Sequence, residues 1–143
     1  MIKGVELVAV YVSDQEKARD FYVGVLGFDQ RVDEEYDSDH RWIEVAPGGD
    51  NQTTLALIKP EATEDNRIGQ DTHVVFATDD IDQTYRQLQT QGVQFVWGPT
   101  DPSPEGVRVC QFVDMDENRF LLVQRPSGTP EGYGVHPIRE LLD

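Results

Sequence analysis

An internal repeat limits the folds that this chain can adopt. The stretch LVAVYVSD at residues 7–14 aligns with HVVFATDD at 73–80, and TLALI at 54–58 aligns with RFLLV at 119–123. In each copy a strand precedes a helix, and further β-branched and aromatic runs follow, which predict more strands. Similarity at offsets of 66 and 65 residues indicates a tandem duplication, in which each copy is one supersecondary unit.

Two amphipathic segments predict the helices of the repeat. The first spans residues 13–27 and the second spans residues 79–92, and each ends at a glycine, Gly27 and Gly92. Glycine is common after the last helical residue because it adopts a left-handed backbone without strain. The candidate N-caps, all short polar residues, are Ser13, Asp14, Asp79 and Asp80.

The repeat predicts a division of the chain into two βαβββ modules and a tail. We expect an N-terminal module at residues 1–62, a C-terminal module at 63–126 and a tail at 127–143, with the modules together forming one domain. The tail is rich in Gly and Pro, which predicts an irregular segment ending in a short helical turn, IRELL. The acidic stretch DEEYDSD at 33–39 is interpreted as a solvated loop.

Composition excludes several classes of function. The net charge is −15, from 27 acidic against 12 basic residues, so the phosphates of nucleic acids and anionic membranes should be repelled. The longest apolar run near the start, residues 5–12, is too short to span a bilayer. The single cysteine, Cys110, excludes an internal disulfide, and we expect a cytoplasmic protein. The acidity itself fits either a solvated surface or a field that attracts cationic small molecules.

Two phrases resemble one known superfamily. VSDQEKARDFYVGVLGF at residues 12–28 and DMDENRFLLVQ at 114–124, placed in a duplicated βαβββ unit, resemble the vicinal oxygen chelate superfamily. That superfamily includes glyoxalase I, extradiol dioxygenases, fosfomycin-modifying enzymes and bleomycin resistance proteins. The resemblance covers residues 3–126. It implies an α+β fold in which the modules curl a mixed sheet into a cup, and it implies a homodimer.

The resemblance also implies four metal-ligand positions, and only one of them holds a donor. They fall at Leu7, Ala56, His73 and Leu121. Divalent first-row metals need several converging N, O or S donors, which leucine and alanine do not supply. We therefore expect no cofactor. The alternative is a Ni, Zn, Fe or Mn ion held by His73 with other donors, of which the candidates are Glu6, Glu44 and His40.

Alternation along the strands predicts the lining of the cup. The residues expected to line a ligand pocket are Leu7, Tyr11, Trp42, Ala56, His73, Val75, Trp97 and Leu121. His73 itself has three open interpretations: a metal ligand, a polar group in a cavity, or a buried histidine bonded to the backbone. A mainly apolar lining with few polar groups suits a small molecule.

The sequence therefore predicts a member of this superfamily that binds a small, partly apolar molecule, with a cationic one as an option, without a metal. The alternative is a metal-dependent lyase or dioxygenase of the same superfamily. No catalytic residue is identified, because no Ser-His-Asp or Cys-His arrangement is present in the sequence pattern. Whether the protein is an enzyme is left open by these residues.

Overall fold

The computed structural model describes residues 1–50, 53–130 and 132–142. Contacts divide the chain into two units, each with its own four-stranded mixed sheet. The first unit contains residues 1–70 together with the short turn 115–118. The second contains residues 71–114 and the chain from Arg119 onward.

The first unit has the order βαβββ. Its strands are β1 (Leu7–Tyr11), β2 (Asp29–Asp37), β3 (His40–Ala46) and β4 (Thr54–Ile58). Helix α1 (Gln15–Arg19) continues into a π-helical segment, Asp20–Val25, and a 3-10 helix, Ala62–Arg67, follows β4. The sheet order is β1-β4-β3-β2, with β1 and β4 parallel and the other neighbours antiparallel.

Alternating residues of this sheet form the core beneath α1. Val10, Ile43, Val45, Leu55 and Leu57 are at most 5% exposed, and they share the face that α1 covers. Burying a side chain of this size contributes about 1.5–3 kcal/mol. The opposite face of the sheet, which α1 does not cover, is called the helix-free face below.

The first helix differs from its prediction in geometry and in its cap. A single helix is expected over residues 13–27, whereas α1 begins at Gln15 and changes to π-helical hydrogen bonding at Asp20. Asp14 is the N-cap, since its side chain accepts a 3.0 Å hydrogen bond from the Lys17 amide. Ser13, the other candidate, instead donates through its amide and hydroxyl to Asp116.

The edge strand β2 corrects the interpretation of residues 33–39 as a loop. Asp29–Asp37 is a strand paired with β3, and most of its side chains are exposed. An edge strand needs no apolar alternation, and charged side chains protect it from pairing with other chains. Asp33 accepts a 2.7 Å hydrogen bond from Arg41 Nε, and this guanidinium lowers the pKa of the Asp33 carboxyl.

The second unit repeats the order βαβββ and adds a helix. Its elements are β5 (Asp71–Ala77), α2 (Ile81–Thr90), β6 (Gln94–Trp97), β7 (Arg108–Val113), β8 (Arg119–Gln124) and α3 (His136–Leu142). The sheet order is β5-β8-β7-β6, with β5 and β8 parallel. Asp80 caps α2 by accepting a 3.0 Å hydrogen bond from the Gln83 amide.

Aromatic rings fill the space between α2 and the second sheet. Phe112 and Phe120 stack with ring centroids 5.5 Å apart, and Phe76 stacks on both. Tyr85 of α2 meets Phe95 edge to face at 4.5 Å. These rings lie on the side of the sheet that α2 covers, and Ile138 of α3 packs on the opposite side.

The prediction of an α+β fold with two βαβββ repeats is confirmed by these two sheets, which do not close into a barrel. The expected module bounds at residues 62 and 126 stay a prediction. The expected helical turn in the tail is present as α3, although residues 131 and 143 of that tail lie outside the described chain. In the described ranges no helix is long and apolar enough to span a bilayer.

Candidate functional site

The helix-free face of the first sheet is lined by aliphatic side chains with a few polar groups among them. The register pairs Leu7 with Thr54, Ala9 with Ala56 and Tyr11 with Ile58, so these side chains share one face. Glu44 of β3 pairs with Ala56 of β4. Trp42 lies two residues from Glu44 on the same strand, so its side chain is on the same face. Ala56 and Thr54 are buried, whereas Leu7, Tyr11, Trp42 and Glu44 are half-buried.

Glu44 is the acidic group of this face, and two neutral donors hold it. Trp42 Nε1 donates to Glu44 Oε2 over 2.7 Å, and Thr54 Oγ1 donates to Oε1 over 2.6 Å. A carboxylate has about four acceptor positions, so two hydrogen bonds leave room for a further donor. Within the described residues no basic side chain forms an ion pair with Glu44. The result is a fixed negative group on a mainly apolar surface.

Tyr11 carries the polar contact at the end of β1. Arg67 Nη1 donates to the Tyr11 hydroxyl over 2.7 Å, and the guanidinium carbon lies 5.1 Å from the centre of the ring. Arg67 also pairs with Glu64 at 2.7 Å, so its charge is largely compensated. Tyr11 is therefore held in place by a residue of the 3-10 helix.

A cavity of about 440 Å³ opens beside Trp42, where the β2–β3 hairpin meets the segment after β4. Ring stacking forms one wall, because Tyr36 and His40 lie 5.5 Å apart with an interplanar angle of 19°. Its lining residues are Gln15, Tyr36, Asp39, His40, Arg41, Trp42, Ile58, Lys59, Pro60, Glu61 and Ala62. This volume suits part of a small molecule, and its rings suit a planar one.

His40 connects two edges of this cavity. Its Nδ1 lies 2.7 Å from Asp37 Oδ1, and its Nε2 lies 3.4 Å from Glu61 Oε1. The hydrogen bond to Asp37, followed by the one to Glu61, raises the pKa of the His40 imidazole above its ordinary value. His40 therefore links the hairpin to the segment after β4 most strongly when it is protonated.

The eight predicted lining residues fall into two groups. Leu7, Tyr11, Trp42 and Ala56 lie in the first unit, on the helix-free face of its sheet. The second unit holds His73, Val75, Trp97 and Leu121. Val75 pairs with Leu121, and both Val75 and Trp97 pack against a cluster formed by Val107, Val109 and Val123, which also contacts Ile138 of α3.

His73 departs from the regular strand on which its position was predicted. The pairing of β5 with β8 is irregular between Asp71 and Val75, and His73 has a left-handed backbone with φ of 58°. Its amide donates to Asp71 Oδ1 over 2.9 Å, and its side chain is exposed. The interpretation of His73 as a buried, backbone-bonded histidine is therefore wrong.

The potential metal donors can be compared with the ligand set that a divalent metal needs. Among residues 1–50, 53–130 and 132–142, no group of three or more His, Cys, Asp or Glu side chains could hold a metal ion. Two of the alternative donors have other partners, since Glu44 binds Trp42 and Thr54, and His40 binds Asp37 and Glu61.

Sequence reasoning named Glu44 as a metal donor only and missed its place beside Trp42. The signal was available, because residues two apart on a strand point to the same side, which places Trp42 and Glu44 together. The stacked pair of Tyr36 and His40 was missed because their segment was interpreted as a loop. Nothing in the local sequence indicates that Thr54, a strand away, closes the second hydrogen bond.

Comparison with known proteins agrees with this fold. Residues 4–122 match the family model of the Glyoxalase/Bleomycin resistance protein/Dioxygenase superfamily. YetH of Bacillus subtilis (strain 168), an uncharacterized protein, is 38% identical over 122 residues, which are 85% of this chain and 98% of YetH. The chain belongs to the Glyoxalase/Bleomycin resistance protein/Dioxygenase superfamily.

Two solved structures of the superfamily's fold are particularly similar to this chain. A superfamily member from Sphaerobacter thermophilus DSM 20745 is 42% identical with a TM-score of 0.78, covering 87% of this chain and 98% of its own. TnmS3, an antibiotic binding protein from Streptomyces sp. CB03234, is 38% identical with a TM-score of 0.73, at the same coverage. The relatives thus include a protein described as binding an antibiotic.

Proposed function

We propose that this protein binds a small, partly apolar molecule on the helix-free face of the first sheet, without a metal ion. The observation that supports this proposal is the carboxylate of Glu44, which Trp42 and Thr54 hold on a surface that is otherwise mostly aliphatic. A concave or sheet surface of this composition orients a ligand through its few polar groups and gains affinity from its apolar ones.

The chemistry of the site favours a planar aromatic ligand with a positive or hydrogen-bond-donating group. Trp42 borders both Glu44 and the 440 Å³ cavity, whose wall is the Tyr36–His40 stack. Aromatic faces attract cations as well as other rings. The net charge of −15 also attracts cations and repels anions at long range.

The donor chemistry supports binding without a metal. Leucine and alanine occupy three of the four positions where the superfamily's enzymes place ligands, and neither side chain can coordinate a metal. Similarity to TnmS3 supports a binding role in the same way, because that relative is described as an antibiotic binding protein. A homodimer and a cytoplasmic location stay predictions from the resemblance and the composition.

Calorimetric titration with two planar probes tests the proposal. Proflavine is a planar aromatic cation and acridone is a neutral molecule of similar shape. We expect proflavine to bind protein that has been treated with a chelator, and to bind more tightly than acridone. Glu44→Gln should weaken proflavine binding about tenfold, equivalent to roughly 1.4 kcal/mol, with little effect on acridone.

The matched control removes the same charge from the other face of the sheet. Glu35 is exposed on β2, where it pairs with Arg41 on the face that α1 covers, so Glu35→Gln should leave both affinities unchanged. Equal losses in the two variants would contradict a site at Glu44. Binding that disappears with the chelator, and returns with Ni, Zn, Fe or Mn only when His73 is present, would support the metal-dependent alternative instead.

A further inference from the structure

His40 lies between two carboxylates that belong to different segments of the first unit. Its Nδ1 is 2.7 Å from Asp37 Oδ1, at the end of β2, and its Nε2 is 3.4 Å from Glu61 Oε1, in the segment after β4. A carboxylate only accepts hydrogen bonds, so each contact needs an N–H of the ring. A neutral imidazole carries one N–H and an imidazolium carries two. Both contacts are therefore complete only when His40 is positively charged.

The same proton supplies the counter-charge of both carboxylates. In the part of the chain that the structure describes, His40 is the only ion-pair partner of Asp37 and of Glu61. Asp37 also accepts a 2.8 Å hydrogen bond from the Asp39 amide, which is uncharged. When His40 loses its proton, two negative groups remain there without a positive one. This side of the cavity therefore becomes more negative as the pH rises.

Histidine titrates near neutral pH, unlike the other charged side-chain types that line this cavity. The remaining charged side chains are Asp39, Arg41 and Lys59, and Gln15 of α1 is uncharged. The Arg41 guanidinium is paired with carboxylates of α1 and β2. The ordinary pKa of histidine puts its charge change between about pH 5 and pH 8. A change of pH in that range therefore alters the charge of this cavity through His40.

A planar cation in this cavity would lie against the same ring. The rings of Tyr36 and His40 stack 5.5 Å apart, both residues line the cavity, and the His40 side chain is 43% exposed. Beside an imidazolium, a second positive charge is repelled. Beside a neutral imidazole, it meets the face of Tyr36 and the carboxylate of Glu61, which both attract it. The proton of His40 and a bound cation therefore oppose each other.

We propose that a cationic ligand and the proton of His40 compete for the carboxylates of Asp37 and Glu61, so that binding is favoured at higher pH and the ligand is released as the pH falls. This inference rests on the proposed function, because it places the ligand in the cavity beside Trp42. Linkage makes the competition reciprocal, so a bound cation lowers the proton affinity of His40 by the factor by which the proton lowers the affinity for the cation. An uncharged ligand of the same shape is not subject to this competition.

The ratio of two affinities measures this competition. Between about pH 5.5 and about pH 8.5, on either side of the ordinary histidine pKa, proflavine is a cation and acridone is neutral. Calorimetry of both on chelator-treated protein therefore separates charge from shape. We expect the ratio of proflavine affinity to acridone affinity to rise about fivefold across this range, the factor that repulsion between two unit charges a few Å apart gives in water. Acridone affinity by itself should change little.

Two variants test the ring and its partner. His40→Gln should hold the ratio at its high-pH value throughout, because no imidazolium forms. Glu61→Gln should move the rise to lower pH, since Glu61, after Asp37, raises the pKa of His40. The matched control, Glu35→Gln, removes an exposed carboxylate on the face of the first sheet that α1 covers, and the rise should stay at its wild-type pH.

Proton NMR of His40 gives the reciprocal measurement. Saturating proflavine should lower the pKa of His40, and acridone should leave it unchanged. A rise in the ratio that persists in His40→Gln, or a His40 pKa that proflavine does not lower, would overturn this inference. If proflavine binds through Glu44 with equal affinity at every pH, this inference fails and the proposed function stands. If proflavine binds at no pH, both fail.

Discussion

Trp42 Nε1 donates a 2.7 Å hydrogen bond to the carboxylate of Glu44, two residues further along the same strand. The alternation of a strand places both side chains on one face, and Thr54 holds the second carboxylate oxygen from the neighbouring strand. The carboxylate is therefore oriented before any ligand arrives, which reduces the ordering cost of binding.

A double-mutant cycle measures how much the contact between Trp42 and Glu44 contributes to the free energy of unfolding. Trp42→Phe and Glu44→Gln each weaken the contact, and we expect the double variant to be less destabilised than the sum of the two by about 1 kcal/mol. Urea denaturation gives the free energies. The control cycle pairs Trp42→Phe with Glu35→Gln, whose side chains lie on opposite faces of the first sheet and should be additive.

Removing the side chain of Asn118 should destabilise the first unit. Asn118 is 1% exposed, its Nδ2 donates to the Tyr11 carbonyl over 2.9 Å, and its Oδ1 accepts from the Gly69 amide over 2.8 Å. We expect Asn118→Ala to lower the free energy of unfolding by about 2–3 kcal/mol, because the Tyr11 carbonyl and the Gly69 amide lose this buried partner. Asn66→Ala removes the same atoms from an exposed position, so its urea midpoint should lie clearly above that of Asn118→Ala.

Glu117, next to Asn118, should be replaceable by glycine with a gain in stability. It is exposed and has a left-handed backbone with φ of 65°, a conformation that costs an L-residue about 1–2 kcal/mol. We expect Glu117→Gly to raise the free energy of unfolding by up to about 1 kcal/mol, because relief of the backbone strain outweighs the loss caused by the larger entropy of the unfolded glycine chain. Met115→Gly, two residues away at a position without positive φ, should lower it.

The repeat and the alternation of the strands can both be read directly from the sequence, and together they predict two similar sheets. The similarity of residues 7–14 to residues 73–80 predicts two sheets of one design, and both have the same strand order. The alternation in LVAVY also predicts which side chains share a face, and the register pairs Ala9 with Ala56 accordingly. These features depend on neighbours within a few residues or on a long repeated phrase.

Features that depend on contacts distant in sequence were not predictable in the same way. Asn118 belongs to a turn between two strands, yet its side chain bonds to Tyr11 and Gly69. The irregular pairing at His73 interrupts an alternation that looks unbroken in the sequence. The contact of Ile138 with the second sheet depends on the path of a Gly- and Pro-rich tail, which periodicity does not describe.

The thiol of Cys110 should be unreactive in the folded protein. Cys110 is 0% exposed on β7, and burial raises the pKa of its thiol to about 12. The thiolate is the reactive form, so labelling by an aromatic disulfide reagent at neutral pH should proceed only as fast as the chain opens. We expect the rate to rise sharply near the urea midpoint. Fast labelling of the native protein would show that β7 opens readily.

Protonation of His40 should stabilise the hairpin and the wall of the cavity. The hydrogen bond to Asp37 is the main cause of the raised pKa of His40, and the one to Glu61 is the next. A raised folded pKa means that the stabilisation is fully present below the unfolded pKa, about 6.5, and is lost as the pH rises through the folded value. We therefore expect the stability difference between wild type and His40→Gln to shrink across that window. Asp37→Asn should lower the pKa of His40 in a titration followed by NMR. Asp50→Asn removes an exposed acid on another turn and should leave that pKa unchanged. An unchanged pKa of His40 in Asp37→Asn would contradict the assigned cause.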